Sequence, residues 1–311
     1  MGERPPLLIY NPGSGLFSEQ TTPDDIDAWL RATLDANGAG AVATRAFEPE
    51  SLDTLADELR QAPPSALWVA GGDGTVLSMA GLAAQLELPL GILPGGTMNL
   101  MARDLGMDMQ LQPAIRQLLR ASPQRIDMAR VNDAPFLCIA NLGMSTRLTA
   151  VRESLRGTPG WRRWPLIAWH TFTNTLFYPR YRLTLEIHGR EHHLNTRSLS
   201  VSNNPLADDR GPIPTRPALD NGTLGVYAIR DRSRWSLPRL ALRLLSGRWQ
   251  ADEDLVQHEC EALTVRLRHR SRIRVMTDGE LLHMTQPLRF ETRPASLIAL
   301  VPRGASEGAA P

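Results

Sequence analysis

"LWVAGGDGTVLSMAG" (67–81) carries an apolar strand straight into Gly71-Gly72-Asp73-Gly74-Thr75, and a pattern of helical period follows at once. Strand, glycine turn and helix in that order are the repeating unit of a parallel α/β sheet. The unit recurs on both sides. Upstream, "PLLIY" (6–10) reads as a strand and "DDIDAWLRATLDANG" (24–38) as a helix closed by Gly38. "VATRAF" (42–47) is a second strand, and "PESLDTLADELRQA" (49–62) a second helix with Ser51 at its N-cap. The third strand, "ALWVA" (66–70), leads into a helix over 75–86. The fourth is "LPLGILP" (88–94), and "MNLMARDLG" (98–106) opens another helix.

Past residue 127 the period changes. "RLTLEIHGREHHL" (182–194) reads as a hairpin around His188-Gly189, and "LTVRLRHRSRIRVMTDGELL" (263–282) alternates apolar and polar residues. So do "LRFET" (288–292) and "LIALV" (297–301), the pattern of a mainly antiparallel β domain. Two helical insertions are expected, near 145–177 and 235–247. The expected organisation is an α/β domain with a parallel sheet over 1–126, a β-rich substrate domain over 127–303, and a disordered tail over 304–311.

Composition excludes several classes. The chain has 311 residues and a formal net charge of +1, which gives no bulk electrostatic case for nucleic acid. All 34 basic residues are arginine, so neither a P-loop lysine nor a Schiff-base lysine is available. Cys138 and Cys260 stand far apart without CxxC spacing, as buried reduced thiols of a cytosolic protein do. The N-terminus shows no signal-peptide core, and Pro6 occupies the position where a myristoylation signal needs Ser or Thr. No apolar run approaches the roughly 18 residues of a membrane span. The histidines lack metal-site spacing, with no HExxH, and there is no GxSxG hydrolase elbow.

The chemistry-bearing signal lies in the turns. In an open α/β sheet, ligands bind at the carboxyl ends of the strands. Here three strands end in "NPGSG" (11–15), "GGDGT" (71–75) and "PGGTMN" (94–99). Glycines let backbone amides approach a phosphate, and the following helix N-terminus adds its positive dipole end. Asn11, Ser14, Gly15, Gly72, Gly74, Thr75, Gly95, Gly96, Thr97 and Asn99 are therefore the candidate phosphate-binding residues, and those of an ATP site under the resemblance described below. Neither GxxxxGK[ST] nor a GxGxxG after the first strand is present, which excludes a Walker loop and a Rossmann fingerprint. Asp73 repels an anion unless a cation intervenes, so it is expected to handle Mg²⁺ or the attacking group.

"NPGSG", "GGDGT" and "LPGGTMNLMARDLG" in this order resemble the diacylglycerol kinase catalytic domain family. The similarity continues through "RIDMARVNDAPFLCIANLGMS" (125–145), "LDNGTLGVYAI" (219–229) and "VMTDGELL" (275–282). The resemblance implies an NAD kinase/diacylglycerol kinase-like two-domain fold with the nucleotide at the domain junction. It implies an ATP- and Mg²⁺-dependent lipid kinase whose simplest substrate is diacylglycerol. It also implies three aspartates, Asp73, Asp127 and Asp278, linked to Mg²⁺ partly through water. Asp278, with Glu280 beside it, is the implied general base; some relatives are read with the GGDGT-type aspartate in that role, so Asp73 stays open for it. On the residues alone, "TDGE" is a hairpin turn.

The sequence departs from the family at Leu100 and Ser78 and in "NNPLADDRGPIPTRPALDNG" (203–222); Ala218 and Asn221 fall where some relatives hold a second, structural Mg²⁺ with acidic residues, so the resemblance does not extend to that site. The expected partners are a lipid substrate, a peripheral membrane surface on the cytoplasmic side, and a second copy in a homodimer; nucleic acid is not among them. Two stretches suit a membrane interface: "GWRRWPLIAWHTFTNTLFYPRY" (160–181), with Trp161, Trp164, Trp169 and Phe172, and "RSRWSLPRLALRLLSGRW" (232–249). Each also suits packing on the β domain. "RLRHRSRIR" (266–274) reads as a solvated strand face, or as one drawn to anionic headgroups. The competing functions are a kinase of a soluble alcohol such as NAD, against which stands the lack of an Asn-Glu motif, and a catalytically silent nucleotide- or lipid-binding regulator.

Overall fold

The computed structural model describes residues 4–19, 22–143, 180–207, 214–230, 239, 243, 249–268 and 270–303. The expected helical insertions and the tail lie outside these residues, apart from Arg239 and Arg243. So do the two aromatic segments, apart from Arg180, Tyr181, Arg239, Arg243 and Trp249. Chain contacts divide the protein into two compact units, one comprising residues up to Met128 and those from Pro294 onward, the other Ala129–Arg293.

The first unit runs β1 (Leu7–Tyr10), α1 (Pro23–Ala36), β2 (Ala43–Ala46), α2 (Leu52–Gln61), β3 (Leu67–Gly71), α3 (Asp73–Leu86), β4 (Leu90–Pro94), α4 (Leu100–Asp104), α5 (Leu111–Leu118) and most of β5 (Ser122–Val131). Its sheet is parallel in the order β2-β1-β3-β4, with Leu7 beside Leu67 and Leu67 beside Leu90. Every residue of β3 and β4 is buried, as continuous apolar runs must be when both faces of a parallel sheet are covered. Helix α1 starts at a capping box, Thr22 with Asp25, with Pro23 in its first turn, and buries Ile26, Leu30 and Leu34 along one stripe.

Ser51 does not cap α2 as expected. Residues Pro49–Ser51 form a 3-10 turn, so Ser51 (φ −99°, ψ 10°) lacks the extended backbone that aims a cap side chain at the first amides. Its hydroxyl donates to the Glu48 carbonyl instead. Helix α5 was not expected, although Leu111, Ala114, Ile115 and Leu118 are buried at helical spacing.

The second unit takes the end of β5, then β6 (Ala134–Phe136), β7 (Ile139–Gly143), β8 (Tyr181–Ile187), β9 (Arg190–Asn203), β10 (Leu224–Arg230), β11 (Leu255–Cys260), β12 (Ala262–Leu267), β13 (Arg272–Thr277), β14 (Glu280–Thr285) and the start of β15 (Leu288–Val301). Its strands pair antiparallel in the order β14-β13-β7-β9-β8-β12-β15, and β10 joins β9 to β11. Two tight hairpins are those expected from sequence. His188-Gly189 (φ 49° and 72°) closes β8–β9, and Asp278-Gly279 (φ 45° and 94°) closes β13–β14. Two consecutive positive φ angles are what a two-residue turn needs to match strand twist. Phe136 and Phe290 meet edge to face, 6.5 Å between centroids, in a core with Leu185, Val201 and Val265. Cys138 and Cys260 are buried free thiols, and burial pushes the Cys260 thiol up to about 11. Among the described residues no helix is long and apolar enough to cross a membrane.

One segment differs from the expected division. "LIALV" was placed in the β-rich domain, yet the second half of β15 lies parallel to β4, with Ala299 beside Leu90, and belongs to the first unit. Alternation along a strand cannot name its partner across some 200 residues of sequence. Leu297 and Ala299 are fully buried there. Leu297→Ala is expected to cost about 2–5 kcal/mol, read as a lower urea midpoint.

Candidate active site

In the first unit the ends of β1, β3 and β4 are tied into one assembly. Asn11 Nδ2 donates to the Thr75 hydroxyl (2.9 Å), and Asn11 Oδ1 accepts the Gly13 amide (2.9 Å). The Ser14 hydroxyl donates to the Gly95 carbonyl. The Gly95 amide donates to the Gly71 carbonyl (3.1 Å). Asn99, in the left-handed region (φ 49°), closes on Gly96 from both sides, accepting its amide (2.7 Å) and donating to its carbonyl (2.9 Å). Asp73 Oδ1 accepts the Leu100 amide (2.7 Å). All three predicted loops are thus brought together.

Glycine is required at the contact for a steric reason. A Cβ on Gly96 would lie 2.6 Å from the Gly72 Cα, and one on Gly95 would lie 2.8 Å from Ser14 Oγ and 2.9 Å from the Gly71 nitrogen. The loops pack backbone against backbone, which only glycine allows. This changes the role expected of two residues. The Gly95 and Gly96 amides are committed to Gly71 and Asn99, so they fix loop shape and are not turned outward as phosphate donors. Donors remain elsewhere. The Gly72 carbonyl first accepts from Val76, so the Gly74 and Thr75 amides in the first turn of α3 precede any helical acceptor. Thr97 is exposed at the tip of its loop, as are Gly13 and Gly15 on theirs.

The three predicted aspartates sit in three settings. Burial pushes the Asp73 carboxyl up, against the pull of the Leu100 and Asn99 amides. Asp127, on β5, is 2% exposed and its Oδ1 accepts the Ala295 amide (2.9 Å), which fastens β15 where it re-enters the first unit. Asp278, in the second unit, is 4% exposed. Its Oδ2 accepts the Leu137 amide (2.5 Å), and its Oδ1 accepts those of Cys138 and Ile139 (both 2.9 Å). Burial pushes its pKa up, opposed by those three amides and by the Arg216 charge. Glu280 is exposed at the start of β14. Among the described residues no three His, Cys, Asp or Glu side chains gather as a metal cage.

Arg216 was not singled out from sequence. It is 4% exposed and donates to the carbonyls of Leu137 (2.5 Å) and Asn203 (2.9 Å) and to the Cys138 sulfur (3.1 Å). Asn203 Nδ2 also donates to the Leu137 carbonyl (3.0 Å). The pair therefore holds the segment whose amides hold Asp278. A single arginine between prolines in "IPTRPAL" gives no periodic signal that could have revealed it.

Residues 5–131 match the model of the diacylglycerol kinase catalytic domain, and residues 139–301 that of the YegS C-terminal NAD kinase beta sandwich-like domain. The chain belongs to the diacylglycerol kinase catalytic domain family, with the YegS-type C-terminal domain. It is 24% identical over 236 residues to a Staphylococcus epidermidis protein named "Putative lipid kinase SERP0390", covering 74% of this chain and 75% of that protein. It is 36% identical over 120 residues to "Probable lipid kinase YegS" of Salmonella arizonae, covering 37% of this chain and 40% of that one. Its fold is that of a crystal structure from Bacillus anthracis described as "a putative diacylglycerol kinase", with TM-score 0.72, 19% identity, and coverage of 97% of this chain and 96% of that one.

Two outcomes are expected of the geometry. Gly96→Ala forces apart the loops ending β3 and β4 and should abolish nucleotide binding in calorimetry while the second unit keeps its thermal transition. Arg216→Met leaves buried carbonyls short of donors, at about 1–3 kcal/mol each. A lower denaturant midpoint would be the readout, with Arg216→Lys falling between Met and the parent.

Proposed function

We propose that the protein is an ATP-dependent lipid kinase that transfers the γ-phosphate to a lipid hydroxyl, with diacylglycerol giving phosphatidic acid as the acceptor class tested first. The observation that carries this reading is the interlinked set of glycine loops around Asp73 at the head of α3. The relatives named as lipid kinases supply the acceptor class. Because such an acceptor resides in a bilayer, the reaction belongs to a membrane surface on the cytoplasmic side.

In this reading the Gly74 and Thr75 amides, at the positive end of α3, hold donor phosphate oxygens, and the exposed Thr97 hydroxyl adds a further donor. Asn11, Ser14 and Asn99 keep the loops in register. Mg²⁺ fits the residues present: it ordinarily takes one or two carboxylates together with phosphate oxygens and waters, not an all-protein cage. Asp73 would hold it, with Asp127 engaged through water. When bound, the ion supplies charge neutralisation at the phosphate oxygens.

Asp278 accepts the acceptor hydroxyl's proton. A carboxylate offers about four acceptor positions, and three are filled by amides that fix its orientation, so one is left for the proton. Its raised pKa makes it a stronger base than a free aspartate, and the transfer comes late, as the bond to phosphorus forms. Glu280, exposed on the same turn, contributes negative charge near it.

The test is transfer of label from γ-labelled Mg-ATP, offering total lipid extract and NAD in parallel. Label in the organic phase is expected, and label on NAD would move the acceptor to a soluble alcohol. Asp278→Asn is expected to lower kcat on the order of 10²–10⁴-fold with ATP affinity kept, whereas Asp73→Asn should weaken Mg-ATP binding itself. The reverse split would exchange the two roles. Tight ATP binding with no transfer to either acceptor would leave a silent binding protein.

A further inference from the structure

The turn between β12 and β13 and the exposed face of β13 concentrate charge that phosphoryl transfer does not use. Arg266, Arg268, Arg270, Arg272 and Arg274 are all exposed. Arg266 is neutralised by Glu186 at 2.9 Å. Among the described residues no carboxylate pairs with the other four; Arg270 lies 5.0 Å over the Tyr181 ring. Other exposed arginines, such as Arg103 and Arg190, also lack an acidic partner among the described residues; what sets these four apart is their run along one stretch of chain. Arg31, Arg45, Arg60, Arg125 and Arg130 each meet an acid.

Three of the four cations are gathered in space as well as in sequence. Arg270, Arg272 and Arg274 line one cleft with Tyr181, floored by Leu142, Leu183 and Leu199. On the neighbouring strand β14, Thr285 stands opposite Arg272, His283 opposite Arg274 and Leu281 opposite Met276. Directly opposed residues of an antiparallel pair share a face. Leu281 is 42% exposed, so the arginines stand beside open apolar surface. The acids nearest in the strands are Glu186, already paired with Arg266, and Glu280 at the far end of β14.

We propose that this arginine face is a docking surface for the anionic headgroups of a phospholipid bilayer, separate from the phosphoryl-transfer residues. Arginine heads are drawn to an anionic surface by charge, and their stems lie along apolar material while the heads stay wet. The exposed Leu281 matches the acyl side of such a surface. A nucleic-acid partner fits less well. Single strands are held by aromatic stacking; residues 262–285 contain no Phe, Tyr or Trp, and the ring of Tyr181 in the cleft already lies beneath Arg270.

The experiment is sedimentation of the full chain with vesicles, without nucleotide, so that its outcome does not depend on kinase activity. Vesicles of phosphatidylcholine alone are compared with an equimolar mixture of phosphatidylcholine and phosphatidylglycerol. Binding to the anionic vesicles only, weakening with added salt, is expected. Each arginine near an anionic surface is worth about fivefold in affinity, from about 1 kcal/mol. The triple variant Arg268→Gln/Arg272→Gln/Arg274→Gln should therefore lose on the order of 100-fold. The matched control Arg31→Gln/Arg45→Gln/Arg60→Gln, with the same change in net charge, should not. The triple lysine variant at 268, 272 and 274 should retain binding, because the attraction is one of charge. Equal binding to neutral vesicles, an unaffected glutamine triple, loss in the lysine triple, or preferential capture of single-stranded DNA over anionic vesicles would each overturn the proposal. Failure of ATP transfer alone would leave it intact and count only against the kinase reading.

Discussion

The closeness of two backbones governs the loop end of the first unit. Gly96 and Gly72 approach so nearly that a single methyl group on Gly96 would sit 2.6 Å from the neighbouring Cα. That approach lets Gly95 donate to Gly71, brings Ser14 within reach of Gly95, and leaves Asp73 beside the Leu100 amide. Glycine-rich turns are commonly credited with presenting amides to a ligand. Here their first task is to let three loops touch, and the amides without a helical acceptor belong to the helix that follows.

The fold of the first unit was legible because its signals are local. Strands β1, β3 and β4 of the parallel sheet are short apolar runs bounded by Gly or Pro, and both tight hairpins of the second unit announce themselves as His-Gly and Asp-Gly. What escaped was non-local. The second half of β15 has the alternation of any half-buried strand, and only the structure shows that its partner is β4. Ser51 has a good capping side chain in the wrong backbone conformation, a difference of dihedral angle that composition does not encode. Helix α5 was legible in retrospect, its four buried residues following the 3.6 period.

The candidate site divides along the same line. Residue types with a fixed chemical meaning, the loop glycines, Asn99 and the aspartates, stand out from pattern and kinship as candidates. Their supports do not. Arg216 acts through the carbonyl of Leu137, and nothing in a lone arginine between prolines records which buried oxygen it will meet. Buried arginines are costly unless their donors are satisfied, so its placement on two carbonyls and a sulfur marks a segment whose position must not drift.

Asp278 shows why a turn residue and a reactive residue can coincide. An Asp-Gly hairpin needs only positive φ, which Asn would serve equally well. Three amide donors on two oxygens demand a carboxylate, since the NH₂ of an Asn would face a donor with a donor. Every contact the group makes is with a donor, so the ionised form is the one the backbone solvates, while burial works against it and raises the pKa. A raised pKa means that ionisation costs stability: native stability from this group is greatest below the unfolded aspartate pKa and declines as pH rises through the folded value. A proton that does arrive finds no acceptor among those three amides and must occupy the one remaining position. A carboxylate held in one orientation, with a raised pKa and a single opening for a proton, is costly for a turn to maintain and well formed for accepting a proton from an alcohol.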